Sequence, residues 1–337
     1  MVEPLSIASV IVVYNGGKVL PRLLNALKQQ TRRVDEIVVV NNASSDDTAN
    51  LLSTEYPEVT VLNQPENGGV GGGFAAGLAY AALTRKCDWV WLFDQDSTPA
   101  RDGLERLLSG LQYLEGNAQS TAMLAPVCRD PETGVTCPGL SWRGGRLCAA
   151  AGDPSQHINL TDSVISSGSL IRREAIEAVG LPRADFFMDF VDHEYCFRLR
   201  RHGFKIAVIQ DSLLDHVLGD PSQLKIFGRT KYWTDHLPWR EYYMTRNEVF
   251  TIWRYYSKRR IKGFVIYRLA RHALDVLLFG KRKVACFRMM YRGFLDGRAG
   301  RLGIRFLPEN AKDHFSSRET AKADALGGER LEGKGSA

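Results

Sequence analysis

The sequence predicts an α/β fold, a mostly parallel central sheet flanked by helices, with a helical extension behind it. Two observations carry that reading. Through the first hundred residues, apolar runs of strand length alternate with longer segments of helical period, the pattern of successive βα units. After about residue 219 the chain turns aromatic and basic, and its apolar residues recur at helical spacing.

The elements follow in order. "SVIVVY" (Ser9 to Tyr14) reads as the first strand. "KVLPRLLNALKQQ" sets Val19, Leu20, Leu23, Leu24 and Leu27 on one helical face, which should pack on the sheet. "DEIVVVNN" is the second strand, "SSDDTANLLSTEY" a helix opened by Ser and Asp caps, and "VTVLNQ" the third strand. "GGGFAAGLAYAALTR" is a helix entered through glycines, and "CDWVWLFDQDSTP" (Cys87 to Pro99) holds the fourth strand. "RDGLERLLSGLQYL" reads as a helix, and residues 121–165 as short strands and loops broken by Gly and Pro. "SSGSLIRREAIEAVG" starts like a strand and ends in a short helix, and "DFVDHEYCFRLRRHGFKIAVIQDSLLDH" joins a helix to a strand. "YYMTRNEVFTIWRYYSK" and "KGFVIYRLARHALDVLLFG" have helical spacing, and the tail from residue 312 has too few apolar residues to bury, so disorder is expected there. The expected division is a catalytic domain over 1–220, a basic aromatic helical extension over 221–311, and a tail over 312–337.

Composition bounds the function. A chain of 337 residues, 44% hydrophobic, can bury a sizeable core as one large domain or a domain with an appendage. Its net charge of +6 is modest and uneven: Lys and Arg cluster from Lys225 onward, as in "SKRRIK" and "GKRKVACFR". Cysteines 87, 128, 137, 148, 196 and 286 form no CxxC pair and no zinc spacing, and no secretory signal is read before them; reduced thiols and a cytoplasmic location are expected. The longest apolar runs fall well short of the roughly 20 residues that cross a bilayer.

Three stretches carry chemistry. Asp94 and Asp96 in "DQDS" follow an apolar strand, alternate along it, and so point the same way if the extended geometry persists. Paired acids at the carboxyl end of a parallel strand suit a divalent cation shared with substrate phosphates; the plainer reading is a solvated loop in which Asp96 caps a helix starting near Pro99. "PENGGVGGGFAAG" (Pro65 to Gly77) admits close approach of a phosphate at a helix start, or simply a flexible turn that lets the helix pack. It follows the third strand, not the first, and lacks the GK[ST] of a P-loop. In "FFMDFVDHEYCFRLRRHGF", Asp189, Asp192 and Glu194 crowd a helix start, where carboxylates are favoured. His216 ends the strand that follows and offers an imidazole ligand, an acid/base group or a structural residue.

Taken together and in this order, "VIVVYN", "DEIVVVNNASSDDT", "NGGVGGGFAAG", "WLFDQDS" and "FFMDFVDHEYCFRLRRHGFKI" resemble the inverting glycosyltransferases of family 2, over roughly residues 7–250. "DQDS", "HVLGD" and "YYMTRN" look most like bacterial rhamnosyltransferases that use dTDP-L-rhamnose to build O-antigen and other cell-surface polysaccharides; galactofuranosyltransferases using UDP-galactofuranose are the near alternative. The resemblance implies the GT-A fold with a Rossmann-like sheet. It also implies Mg²⁺ or Mn²⁺ held by Asp94, Asp96 and His216, with Asp94 shared with the ribose. Asp192 would be the catalytic base, with Asp189 and Glu194 orienting it or binding acceptor hydroxyls. The nucleotide sugar would lie on Tyr14, Asn15, Asn42, Gly68, Gly69, Gly71, Gly72 and Gly73, and Arg246 would reach the diphosphate. One departure stands out: the second strand usually ends Asp-Asn and here ends Asn41-Asn42, which exchanges a carboxylate for an amide that donates as well as accepts.

Other function classes remain in view. A non-catalytic sugar-nucleotide-binding module would keep the fold without needing a base, and a dinucleotide oxidoreductase would be revealed by NAD binding. The basic aromatic segment suits either an anionic membrane surface near a lipid-linked acceptor, with the protein peripheral on the inner face, or packing onto the catalytic domain. Nucleic acid is disfavoured because no recognised binding motif accompanies the moderate charge.

Overall fold

A computed structural model of the chain describes residues 5–116, 120–137, 139–150, 156–216, 222–226 and 229–307; the expected tail at 312–337 lies outside them. Within the first hundred residues the order is β1 (Ile7–Val13), α1 (Leu20–Lys28), β2 (Glu36–Asn41), α2 (Thr48–Glu55), β3 (Thr60–Asn63), α3 (Gly69–Leu78), β4 (Trp89–Asp94) and β5 (Thr98–Pro99). Then come α4 (Gly103–Gly116), β6 (Thr121–Arg129), β7 (Thr136–Cys137), β8 (Leu140–Arg143), β9 (Arg146–Ala149) and β10 (Ile158–Thr161). β11 (Leu170–Arg172), α5 (Arg173–Val179), α6 (Val191–Arg201) and β12 (Lys205–Asp215) precede a hairpin of β13 (Ser222–Ile226) and β14 (Arg229–Trp233). Three helices follow, α7 (Pro238–Tyr255), α8 (Arg259–Phe279) and α9 (Lys283–Ala299).

The described residues form a ten-stranded sheet with the path β10-β12-β6-β11-β4-β1-β2-β3, to which β5 and β7 attach. β1 pairs in parallel with both β2 and β4 and is buried along its whole length, which is why its sequence is continuously apolar where a one-sided strand would alternate. The strand order 3-2-1-4 reverses between β1 and β4, and crevices at such a reversal, beyond the carboxyl ends of the strands, are where open α/β sheets take ligands. β11 runs antiparallel to both β4 and β6, so the parallel run is interrupted there.

Helices cover both faces. α1 buries Leu20, Leu23, Leu24 and Leu27, the stripe its spacing predicts. α3 lies against Val10, Val12 and Val40 so closely that a Cβ on Gly77 would sit 2.2 Å from Val10 Cγ1, and one on Gly73 2.5 Å from Val12 Cγ1. The expected single helix after the glycines widens into a π-turn over Ala79–Thr84, where the Arg85 amide donates to the Tyr80 carbonyl. β12 runs on for eleven residues, and a bulge between Ile209 and Leu213 resets its register on β6.

The chain divides into two compact units, Met1–Phe187 with Val191–Val217, and Met188–Phe190 with Leu218–Ala337. The 188–190 segment goes with the second unit. There, Arg240 holds the Asp189 carboxylate and the Asn247 amide donates to the carbonyls of Met188 and Asp189. The second unit is built on "YYMTRN": Tyr242, Tyr243, Arg246 and Asn247 are fully buried in α7. α9 approaches α7 through Gly293 and Gly297, where an added Cβ would meet the carbonyl oxygens of Tyr242 and Arg246 at 2.5 Å. No described helix is long and apolar enough to cross a membrane.

Candidate active site

The sheet register assembles the site. Val12 pairs with Asp94 and Val13 with Asn41, so Tyr14 and Asn15, Asn41 and Asn42, and Asp94 all emerge at the carboxyl ends of three adjacent parallel strands. Asn15 turns the chain with φ +50°. Its Oδ1 accepts from the backbone amides of Ser45 (2.7 Å) and Asp46 (3.3 Å), which ties the loops after β1 and β2 together. Two buried atoms here have no protein partner, Nδ2 of Asn15 and Oδ1 of Asn42, while Nδ2 of Asn42 donates to the Gly69 carbonyl at 2.9 Å. A donor and an acceptor so placed each cost about 1–3 kcal/mol until something binds them.

After Asp94 the chain makes a tight turn and enters β5, whose Thr98 and Pro99 pair with Asp215 and Leu214 of β12. That pairing delivers His216 to the turn: its Nδ1 lies 3.0 Å from Ser97 Oγ and 3.6 Å from Asp96 Oδ1, and its amide donates to the Arg129 carbonyl. Asp96 therefore caps no helix; the next one, α4, begins only at Gly103. Asp94 is part-buried, and burial pushes its carboxyl up to about 6; the His216 side pulls it down, while the negative charges of Asp96 and Asp192 push it further up. Asp192, in the first turn of α6, is near enough for its charge to act on Asp94, and its Oδ1 accepts from the His193 amide at 2.7 Å. The structure sets His216 beside Asp96, with Asp94 within electrostatic reach of Asp96, His216 and Asp192.

Other expected site residues lie elsewhere or are otherwise engaged. Glu194 is completely buried and paired with Arg198 at 3.0 Å, one turn along α6, so it is not available to an acceptor. Asp189 sits at φ +55° with its carboxylate held by Arg240, a brace within the second unit. Arg246 is fully buried, donating to Asn247 Oδ1 and the Gly303 carbonyl and stacked on Tyr242 and Tyr243, all within the second unit. Of the glycines, Gly69 (φ +66°) and Gly71 are required by this chain's own backbone, since added Cβ atoms would meet the carbonyls of Phe187 at 2.2 Å and Arg183 at 2.6 Å. Gly68 is approached only by Gly72 of its own turn, and a Cβ on Gly72 would meet nothing within 4 Å, so the first turn of α3 is open at Gly72.

Sequence reasoning missed three residues that shape this site. Gln95, between the two acids, accepts from the Tyr14 amide at 2.9 Å and so locks the ends of β1 and β4. Ser167 Oγ accepts from the Asp94 amide at 3.2 Å and bonds the Ser97 hydroxyl, and Ser97 links on to His216. The "SSGS" turn around Gly168 (φ +78°) was the signal that a tight, specified backbone lay there.

Among the described residues no three His, Cys, Asp or Glu side chains close into a metal-binding group. The donor set nevertheless fits a hard cation, which takes one or two carboxylates and completes its shell with substrate phosphates. Burial first, and then the negative charges of Asp96 and Asp192, disfavour the ionised Asp94 carboxylate, and a bound cation would offset both.

Solved structures share the fold of this one. A crystal structure of GalNAc-T7 with UDP, GalNAc and Mn²⁺ matches with a TM-score of 0.58 at 15% identity, over 89% of this chain and 57% of that one. The S. aureus TarS 1-349 structure in complex with UDP matches with a TM-score of 0.53 at 13% identity, over 91% of this chain and 98% of that one. The fold is GT-A-like, a mostly parallel sheet flanked by helices, followed here by α7, α8 and α9. Residues 9–180 match the model of Glycosyl transferase family 2, and the chain belongs to that family. It is similar to the galactofuranosyltransferase GlfT1 of Mycolicibacterium smegmatis, 28% identical over 66% of this chain and 74% of that protein. It is equally similar to the dTDP-rhamnosyl transferase RfbF of Shigella flexneri, 29% identical over 72% of this chain and 78% of that protein.

Proposed function

We propose that the protein is an inverting transferase that moves L-rhamnose from dTDP-L-rhamnose to a hydroxyl of a saccharide or lipid-linked acceptor in cell-surface glycan synthesis. The observation that carries the reaction type is the convergence of Asp94, Asp96 and His216 with Asp192 beyond the carboxyl ends of β1 and β4. The likeness to RfbF and the "DQDS" motif support the donor. UDP-galactofuranose is the second reading, and the likeness to GlfT1 favours it.

The roles follow from placement. The nucleotide lies over Tyr14, Asn15 and Asn42, where the free Asn15 Nδ2 and Asn42 Oδ1 give it one donor and one acceptor, and Gly72 leaves room for its phosphates. Asp94, Asp96 and His216 would hold Mg²⁺ or Mn²⁺, which supplies positive charge to the leaving diphosphate. Ser97 fixes the His216 ring, and Gln95 fixes the backbone that carries the acids. Asp192 takes the proton from the attacking hydroxyl as the bond from that oxygen to the anomeric carbon forms and the bond to the diphosphate oxygen breaks. One displacement inverts the anomeric centre, so a second carboxylate nucleophile is unnecessary. That also explains why burial of Glu194 costs the reaction nothing.

The test compares dTDP-L-rhamnose, UDP-galactofuranose, UDP-glucose and GDP-mannose, with and without Mn²⁺, by thermal shift and by release of the nucleoside diphosphate. The dTDP-sugar with metal should give the largest shift and the fastest release. Asp192→Asn should keep the shift and lose at least about 100-fold in turnover. An active Asn variant removes Asp192 as base, a larger shift with UDP-galactofuranose moves the donor to the second reading, and binding without turnover leaves a sugar-nucleotide-binding module.

A further inference from the structure

Helix α8 carries apolar residues on both of its sides. Ile261, Val265, Arg268, His272 and Val276 recur every three or four residues and form the inward side, from which Arg268 and His272 reach α7 and Val276 packs with Cys286 and Met290 of α9. Two of the five are bound there as ions or polar groups: Arg268 Nε to Glu248 at 2.9 Å, and His272 Nε2 to Glu241 at 2.8 Å. The opposite stripe holds Ile266, Tyr267, Leu274, Leu277 and Leu278, exposed by 43, 62, 51, 50 and 56%. A surface helix that has only water to face keeps its apolar residues to the core side and carries polar and charged residues outside.

The apolar stripe is framed by positive charge. Arg259 and Arg260 begin the helix, Arg271 lies within the exposed stripe, and Lys281, Arg282 and Lys283 follow its end, all exposed. α9 repeats the mixture, with Val284, Tyr291 and Leu295 exposed by 84, 66 and 42% beside the exposed Arg288 and Arg292. Between residues 259 and 299 the sequence has eleven Lys and Arg and two acids, Asp275 and Asp296, and Asp296 is buried. An outward apolar stripe with a cationic border is the make-up of a helix that lies in a membrane interface, its apolar side chains below the headgroups and its cations at the level of the phosphates. Tyr267, with an apolar ring and a polar tip, fits the same boundary. A second copy of this face would bring like charges together, whereas an anionic bilayer complements both the charge and the apolar stripe.

We infer that the outer face of α8, with the Lys281–Lys283 segment, is a docking surface for an anionic lipid bilayer. The face presents its apolar stripe ready-made, so docking needs no refolding of the helix. The inference is independent of the donor sugar and is read without any turnover.

The test is sedimentation of the full-length protein with vesicles of phosphatidylcholine alone and of phosphatidylcholine mixed with phosphatidylglycerol, at low and high salt. The protein should sediment with the anionic vesicles only, and less so at high salt. Leu274→Glu with Leu278→Glu should weaken the partition about ten-fold, as should Lys281→Gln, Arg282→Gln and Lys283→Gln together, with circular dichroism and melting temperature unchanged. No sedimentation with anionic vesicles overturns the inference, as does binding that the leucine variant leaves intact. A concentration-dependent dimer that the leucine variant abolishes, without vesicle binding, assigns the face to a second copy instead.

Discussion

Asn41 and Asn63 sit opposite each other at the ends of β2 and β3, and the Asn41 amide donates to Asn63 Oδ1 at 3.0 Å while its own Oδ1 accepts from the Ser44 amide. This is how the chain accommodates an amide where the family resemblance leads one to expect a carboxylate. An Asn41→Asp variant keeps the Ser44 acceptor, and Asn63 needs only to turn its amide over to donate. We therefore expect Asn41→Asp to cost less than about 1 kcal/mol in a denaturant titration. The double change with Asn63→Asp places two carboxylates side by side and should cost about 1 kcal/mol more. If position 41 reads the base, Asn41→Asp also tightens dTDP or UDP about five-fold by calorimetry, since a carboxylate accepts from the base N3 group; unchanged affinity places the base elsewhere. Residue types at the site were legible, because acids, amides and an imidazole at strand ends are visible in a string of letters. Their partners were not: Arg198 one turn beyond Glu194 and Arg240 some fifty residues after Asp189 are what commit those carboxylates to structure.

At the scale of an element, α3 shows two uses of glycine in one short stretch. Gly77 and Gly73 let the helix axis approach β1, and Gly72 on the other side opens to nothing within 4 Å. Gly77→Ala forces its new methyl to within 2.2 Å of Val10 Cγ1 and should destabilise the protein by about 1–3 kcal/mol. Gly72→Ala has room and removes a flexible residue from a helix, so it should stabilise by about 0.5–1 kcal/mol. The informative readout is the separation of the two: if phosphates lie over Gly72, its alanine variant melts higher yet binds the donor more weakly, and Gly77→Ala melts lower with its remaining folded fraction binding normally. Equal donor affinity for Gly72→Ala and the parent protein would leave that glycine without a ligand role. The strand and helix periods gave α1, β1, β2 and β4 because burial on known faces dictates apolar spacing. The glycine cluster defeated the same reasoning, since close packing and ligand approach call for the same residue.

For the molecule as a whole, the charge asymmetry visible in the sequence resolves into a second unit whose buried acids each have a cationic partner on another element. Glu248 has Arg268, Glu241 has His272, and Asp296 has Arg301 and Arg305 together with the Tyr242 hydroxyl. Sequence showed the excess of Lys and Arg but not that part of it is consumed inside, which requires knowing the faces of α7, α8 and α9. These pairs make stability depend on pH with two signs. Burial raises the Asp296 carboxyl, but hydrogen bonds from Arg301 and Tyr242 and the charge of Arg305 outweigh it and hold the group below its usual range. Its stabilisation is therefore present above the unfolded carboxylate value and is lost as pH falls through the folded one. His272 works in the opposite direction: its hydrogen bond to Glu241 raises it above 6.5 against burial, Glu241 and Asp275 add to the rise, and Arg268 opposes it. His236, its aromatic neighbour at 6.5 Å, is pushed down by burial and by Arg240, so it adds little positive charge to resist the His272 proton. Stabilisation by His272 is thus complete below pH 6.5 and disappears as pH rises through its own higher value. Melting curves of the parent protein and His272→Ala should then differ by about 1 kcal/mol at pH 6 and converge towards pH 9, with the acid limb set by Asp296 unchanged in both. A difference between the two that persists undiminished at high pH would mean that His272 acts by packing against α7, and that its proton does not contribute.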